Sequence, residues 1–178
     1  CNRTDALLSI KDITDKQVIA VREEYQRQIR REAKEQCPWI INKLNHNFLY
    51  VGLIQKIFPE AIVIHVKRNP QAVALSIFQR YFAEPQNFAY SLEDIAVSYQ
   101  QYQQIMEYWE KQNGEIRHVN YRDIIHNSRK EFETIFAGKG LQWEDQQTYY
   151  YKKSTAVYTA SVVQVRQPLY QDSLEKWK

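Results

Sequence analysis

The sequence predicts an α/β fold with a parallel sheet, because a strand followed by a turn and a helix occurs repeatedly. Residues 61–66 are an almost unbroken apolar run, largely β-branched, which is typical of a parallel strand covered on both faces. A short basic turn and an apolar helix follow this strand. Residues 39–57 repeat the same order, and residues 115–120 alternate as a further strand.

The turn after residues 61–66 has the residues that begin a helix and attract an anion. Asn69 can cap the helix, and Pro70 suits its first turn, where the missing proline N–H would be unsatisfied anyway. A helix N-terminus directs N–H groups and a positive dipole end at a ligand. Arg68 adds a planar guanidinium suited to phosphate. The alternative is an ordinary strand–helix unit in which Arg68 pairs with a carboxylate.

The helix after Pro70 is predicted to extend to about residue 82. Ser76 and Arg80 are four residues apart, so the prediction places them one above the other on the same helix face. This arrangement puts a hydroxyl and a second cation on the helix that follows Arg68.

The N-terminal third predicts a helix and a second strand. Thr14 or Asp15 can cap a helix with an apolar stripe that continues to about residue 36. After Pro38, residues 39–41 (Trp-Ile-Ile) predict a short buried strand. Lys43 then lies at the carboxyl edge of that strand, where open α/β sheets bind ligands. The alternative is a solvated lysine in a connecting turn.

The second half predicts two more helices. Ser91 followed by Asp94 forms a capping box before a helix of about twenty residues, which Gly114 is expected to close. Tyr121 follows the strand at 115–120 in a turn, and residues 128–136 predict a helix that Gly138 and Gly140 terminate. Tyr121 has two interpretations, a ligand contact or an aromatic residue packed under the turn.

Composition excludes several classes of protein. The 178 residues suffice for one domain with a sizeable core, and a net charge of +3 is too small to indicate nucleic-acid binding. Two cysteines form no disulfide framework, and the four histidines are scattered without metal-ligand spacing. An apolar run long enough to span a membrane is absent, as is a signal peptide, so we expect a cytoplasmic protein.

Several of these motifs together resemble one family. KRNPQAVALSIFQRYF resembles the 3′-phosphate-binding segment of the sulfotransferases, which has an Arg at a strand end and a Ser eight residues later; Arg68 and Ser76 keep that spacing. NKLNHNFLYVGLIQKIFPEAIVIHVKRNP, VNYRDII and TASVVQVRQPLY resemble the bacterial sulfotransferases often fused to tetratricopeptide repeats, which are relatives of the tyrosylprotein sulfotransferases. The resemblance covers residues 39–177.

The resemblance implies a three-layer, P-loop-NTPase-like fold, with a short parallel sheet flanked by helices. The family's first strand and its 5′-phosphosulfate loop find no match, and neither does its acidic general base. Residues 1–178 are therefore expected to be a single domain, the C-terminal two-thirds of a sulfotransferase domain, and to be inactive alone. The missing strand is expected at the centre of the sheet, so the sheet would have to rearrange, pair with another copy of the chain, or leave an edge open.

The resemblance also implies the ligand and its contacts. The co-substrate is 3′-phosphoadenosine 5′-phosphosulfate, no metal is required, and the acceptor is a hydroxyl or an amine. Lys43 aligns with the family's lysine beside the transferred group, although Asn45 replaces a proline that usually follows it. The expected nucleotide contacts are Arg68, Ser76, Arg80, Tyr121 and, in a tail that folds over the nucleotide, Ser161, Arg166 and Lys176.

A second function from another class stays open. The same strand–turn–helix units occur in non-catalytic α/β modules that bind an adenine nucleotide such as ATP, or a protein partner. Recognition of a 3′-phosphate distinguishes the two functions. The sequence does not distinguish a peptide tyrosine, a sugar and a small alcohol as the acceptor.

Overall fold

The computed structural model describes residues 12–32, 38–80, 82, 86–112, 115–152 and 166–169. No helix in these ranges combines the length and the apolar character needed to cross a lipid bilayer. The helices and strands, in chain order, are α1 (Asp15–Glu32), a 3₁₀ helix (Asn45–Tyr50), α2 (Val51–Ile57), β1 (Val63–Lys67), α3 (Pro70–Phe78), a 3₁₀ helix (Asn87–Tyr90), α4 (Leu92–Lys111), β2 (Ile116–Asn120), α5 (Tyr121–Ile135) and a 3₁₀ helix (Asp145–Lys152).

The chain divides into two compact units. The first consists of Cys1–Val63 and Gln104–Glu115, and the second of Ile64–Gln103 and Ile116–Lys178. The first unit therefore contains α1, α2 and the C-terminal part of α4. The second contains β1 from Ile64 onward, β2, α3, α5 and the N-terminal part of α4.

The start of α1 is confirmed at the predicted cap. The Thr14 backbone N–H donates to Gln17 Oε1 at 2.9 Å, and the Gln17 N–H donates to Thr14 Oγ1 at 3.4 Å. This reciprocal pair is a capping box that satisfies N–H groups at the first turn of the helix. The predicted end of the helix near residue 36 lies outside the described residues.

Helix α1 packs against the end of α2. The ring of Tyr25 lies 5.3 Å from that of Phe58, and Arg22 Nε donates to the backbone carbonyl of Ile57. Val18 and Ile57 are buried. The last carbonyl groups of a helix have no partner within the helix, so the hydrogen bond from Arg22 caps the C-terminus of α2. The neighbouring apolar side chains bury surface between α1 and α2.

Gly52 allows a close approach between α2 and α4 within the first unit. Trp109 Nε1 donates to the Phe48 carbonyl at 2.8 Å, which fixes the indole over α2. A Cβ atom built on Gly52 would lie only 2.4 Å from the Trp109 ring. The absence of a side chain at Gly52 is therefore what lets the indole reach Phe48.

The predicted strand at residues 39–41 is wrong. These residues have no regular secondary structure, and the side chains of Trp39, Ile40 and Ile41 are 43%, 51% and 90% exposed. A strand needs a neighbour for its backbone N–H and C=O groups. The sheet among the described residues consists of β1 and β2, and neither pairs with this segment.

β1 and β2 form a short parallel pair, which agrees with the predicted α/β class. α5 packs against β2, whose Val119 is buried. The sequence predicted that residues 61–66 are covered on both faces, and this is wrong because Ile64 and Val66 are 39% and 49% exposed. The sheet formed by the described residues has two strands, which give helices little surface to cover on both faces.

Helix α3 begins as predicted and ends early. Asn69 Oδ1 accepts a hydrogen bond from the Ala72 N–H at 3.1 Å, and Pro70 occupies the first turn. The helix was expected to reach about residue 82 but ends at Phe78. The Arg80 N–H donates to the Ile77 carbonyl at 3.1 Å instead of to the carbonyl four residues back, which closes the last turn.

Helix α4 has the predicted cap and length. Ser91 Oγ accepts from the Asp94 N–H at 3.3 Å, and the helix has 20 residues with Ile95 and Met106 buried on its apolar stripe. Gly114, the expected terminator, lies outside the described residues.

Helix α5 begins seven residues earlier than predicted. The turn expected around Tyr121 is instead the first turn of α5, and Asn127 interrupts the helix with φ −152° and ψ 59°. The part after this kink matches the helix predicted at 128–136. Gly138 and Gly140 follow with φ of 72° and 70°, so both predicted terminators adopt the left-handed conformation that favours glycine.

We predict that Gly52→Ala destabilises the fold by about 1–3 kcal/mol, the cost of overpacking a filled contact. Alanine is the better helix former by roughly 1 kcal/mol, but a Cβ atom 2.4 Å from a rigid indole must displace that ring. Urea unfolding of both proteins measures the difference.

The matched control is Gly52→Ala combined with Trp109→Phe, since the smaller ring removes the clash. On the Trp109→Phe background the alanine should cost less than on the wild-type background. Additive free energies in this double-mutant cycle would contradict the proposed clash.

Candidate functional site

The structure brings two of the predicted site residues together at the carboxyl end of the strands. Arg68 lies between the end of β1 at Lys67 and the start of α3 at Pro70, and Tyr121 is the first residue after β2. The Arg68 guanidinium lies 5.1 Å from the centroid of the Tyr121 ring. Parallel strands end at the same edge of a sheet, so the two side chains meet over this edge in a cation–π contact.

The surroundings of Arg68 favour an anion. Both Arg68 and Tyr121 are half-buried, which limits how far their side chains swing. The N-terminus of α3 begins two residues after Arg68, and its dipole places a partial positive charge there. The positive charge of the guanidinium and the partial positive charge of the helix N-terminus therefore lie close together, and both favour a phosphate.

Ser76 and Arg80 are placed differently from the prediction. Ser76 is half-buried on α3, six residues beyond Pro70, which corresponds to about 9 Å along the helix axis. Arg80 lies beyond the end of α3 at Phe78. The prediction that Arg80 sits one turn above Ser76 on a helix face is therefore wrong, because the helix ends between them.

Lys43 lies in the first unit, on an exposed segment without the predicted strand. Its Nζ donates to Asn45 Oδ1 at 2.7 Å. Nearby, Asn42 Nδ2 donates to the Tyr25 hydroxyl at 2.8 Å and Asn47 Nδ2 donates to Asn42 Oδ1 at 2.9 Å. Side-chain amides thus hold this segment to α1, and the Asn45 side chain accepts the hydrogen bond that orients the ammonium group.

The predicted tail contacts are mostly outside the described residues. Ser161 and Lys176 are not in the described ranges. Arg166 is described and exposed. Beside it, the carbonyl of Gln167 accepts a hydrogen bond from the Tyr150 hydroxyl at 2.7 Å, which connects this short segment to the 3₁₀ helix at Asp145–Lys152.

Sequence reasoning missed a pair of histidines. It treated the four histidines as scattered, but His65 and His118 are neighbours across β1 and β2, with their Nδ1 atoms 3.0 Å apart. His65 Nε2 also contacts the Tyr102 hydroxyl. Each histidine is the third residue of its strand, a signal that becomes readable only once the two strands are known to pair in this register.

Comparison with known proteins agrees with the motifs of the sequence. A family model described as "Sulfotransferase family" matches residues 8–145. An uncharacterized protein of Aquifex aeolicus (strain VF5) is 40% identical over 145 residues, which cover 79% of this chain and 19% of that protein. The chain thus spans about a fifth of the length of the curated relative it matches. Because the family model matches well over half of the chain, this chain belongs to the sulfotransferase family.

Proposed function

We propose that this chain binds 3′-phosphoadenosine 5′-phosphosulfate and that the intact protein transfers the sulfuryl group to a hydroxyl or amine acceptor. The observation that carries the proposal is the contact between Arg68 and Tyr121 beside the N-terminus of α3. Family membership supports a transferase. The Arg68–Tyr121 contact supports a nucleotide site at the ends of the strands.

The proposed role of Arg68 is to bind the 3′-phosphate. A doubly charged phosphate matches a guanidinium fork next to a positive helix end, whereas an unmodified ribose hydroxyl gains little from either charge. Tyr121 holds the guanidinium through its ring face, so that less side-chain entropy is lost when the phosphate binds. Ser76 offers a neutral hydroxyl from α3, with Arg80 as a further cation and Arg166 as a contact from the tail.

Sulfuryl transfer requires that the two substrates are positioned and that the developing negative charge is stabilised. It does not require a covalent enzyme intermediate. The sulfuryl group passes between two oxygens nearly in line, as in phosphoryl transfer, and negative charge develops on the bridging oxygen of the leaving nucleotide. In the proposal, the Lys43 ammonium stabilises that charge, and its bond to Asn45 sets its direction. A general base takes the proton of the acceptor hydroxyl.

The same motifs support a finer relationship, with the bacterial sulfotransferases fused to tetratricopeptide repeats and with the tyrosylprotein sulfotransferases. The relative in Aquifex is long enough for such repeats, since the matched segment is 19% of it. The intact protein's acceptor and partners belong to this proposal as well, and a peptide tyrosine, a sugar and a small alcohol remain its three acceptor classes.

We predict that Arg68→Ala weakens binding of 3′-phosphoadenosine 5′-phosphate by about 2–3 kcal/mol, the scale of a lost charge-assisted contact. Ser76→Ala should cost less, about 1 kcal/mol, because a neutral hydroxyl is removed. Titration calorimetry of the intact protein with this nucleotide, and with adenosine 5′-phosphate, measures both changes. Affinity for the nucleotide without a 3′-phosphate should hardly change.

Arg122→Ala is the matched control, because Arg122 is exposed and lies next to Tyr121 on the same helix. It removes the same charge from the same edge and should leave the difference between the two nucleotides intact. Equal losses for both nucleotides in Arg68→Ala would show that Arg68 supports the fold, and would favour the non-catalytic nucleotide-binding module.

We also predict that Lys43→Ala lowers the turnover of the intact protein by about tenfold to a thousandfold, while nucleotide affinity changes little. The charge of Lys43 is needed mainly in the transition state, so the loss appears in kcat rather than in binding. Lys130→Ala removes an exposed lysine from α5 and serves as the control. Unchanged turnover in Lys43→Ala would exclude this residue from the chemistry.

A further inference from the structure

The histidine pair on β1 and β2 has the geometry of two metal ligands. The Nδ1 atoms of His65 and His118 approach to 3.0 Å across the parallel pair. The two rings are tilted by 67° with centroids 5.1 Å apart, so the nitrogens converge while the rings diverge. His65 is half-buried and His118 is exposed.

The distance between the nitrogens suits a shared ion. Two imidazole nitrogens bound to tetrahedral Zn²⁺ at about 2.05 Å are separated by roughly 3.3 Å, and a right-angled arrangement brings them to roughly 2.9 Å. The observed 3.0 Å lies between these values. An ion would thus fit with a small adjustment of the rings, and water would complete its coordination.

Tyr102 provides the outer contact that ligating histidines normally have. Its hydroxyl meets His65 Nε2, the ring nitrogen opposite the one that faces His118. When Nε2–H donates to the tyrosine oxygen, Nδ1 of His65 carries the lone pair, which is the tautomer a metal requires. In that state the proton between the two rings is on Nδ1 of His118. When the ion binds, this proton moves to Nε2 of His118, so both Nδ1 atoms can bind the ion and the pair keeps the same number of protons.

We propose that His65 and His118 bind a divalent transition-metal ion of the class that prefers imidazole, represented by Zn²⁺, with Tyr102 as the positioning residue. Imidazole suits zinc, copper and nickel better than magnesium or calcium, which prefer oxygen. The ion joins β1 to β2 across the sheet and is separate from sulfuryl transfer, which proceeds without it in the function proposed above.

An ion bound by His65 and His118 would stabilise the pairing of β1 with β2. The strands that it joins end, a few residues later, at Arg68 and at Tyr121. An ion that binds the folded chain and not the unfolded chain stabilises the fold in proportion to the logarithm of its concentration over its Kd. The proposed site therefore stabilises the strand pair that holds the Arg68–Tyr121 contact.

The test is calorimetric titration of the intact protein with ZnCl₂, combined with thermal unfolding in the presence of zinc or of EDTA. Zinc should raise the melting temperature of the wild-type protein, and EDTA should reverse the rise. His118→Ala, an exposed position on a strand, should lose at least tenfold in zinc affinity together with most of the rise. Tyr102→Phe keeps both ligands and should lose about tenfold to a hundredfold in affinity.

His126→Ala is the matched control, because His126 is an exposed histidine of α5 in the same unit. It should bind zinc as the wild-type protein does. Zinc binding that is absent from the wild-type protein, or that is equally strong in His118→Ala and His126→Ala, would overturn the proposal and leave a histidine–histidine hydrogen bond. Failure of nucleotide binding does not affect this test, since its readouts contain no nucleotide.

Discussion

The pairing of β1 with β2 is the constraint on which the second unit depends. Backbone hydrogen bonds between two five-residue strands fix which side chains lie opposite each other. Two contacts follow from this one register: His65 against His118 within the strands, and Arg68 against Tyr121 just beyond them. A shift of one strand by one residue would turn the side chains of that strand to the other face and would separate both pairs at once.

The strand pair is itself supported from one side. α5 packs on β2, and the Arg117 guanidinium donates to the carbonyl of Ile135 at the far end of that helix. The rings of Phe132 and Trp143 lie 5.5 Å apart. This contact packs the segment after α5 against the last turns of that helix. β1 has less cover, since two of its apolar side chains, Ile64 and Val66, are exposed. The edge that holds Arg68 is therefore positioned through β2 and α5 more than through β1 alone.

Features decided within three or four residues could be read from the sequence. The caps at Thr14, Asn69 and Ser91 and the glycine terminators at 138 and 140 depend on local hydrogen bonds or on backbone freedom, and the structure confirms them. The part of α5 after its kink was recognised for the same reason. Arg68 as an anion-binding candidate also follows from local order, since it lies between a strand and a capped helix.

Features that depend on distant partners could not be read. The apolar segment 39–41 has the composition of a strand, yet a strand exists only when another one hydrogen-bonds to it. The early end of α3 depends on which carbonyl the Arg80 N–H meets, and composition does not decide that. The histidine pair joins residues 53 positions apart, so it depends on a register that no local pattern reveals.

The break at Asn127 divides α5 into two short helical stretches. Helical hydrogen bonding is cooperative, and a residue with non-helical φ and ψ interrupts that cooperativity. The stretch before Asn127 continues directly from β2, whereas the stretch after it is held by the aromatic contacts of Phe132. Amide protons of the two stretches should consequently exchange with deuterium as separate groups, each opening with its own free energy, although they belong to one continuous helix in sequence.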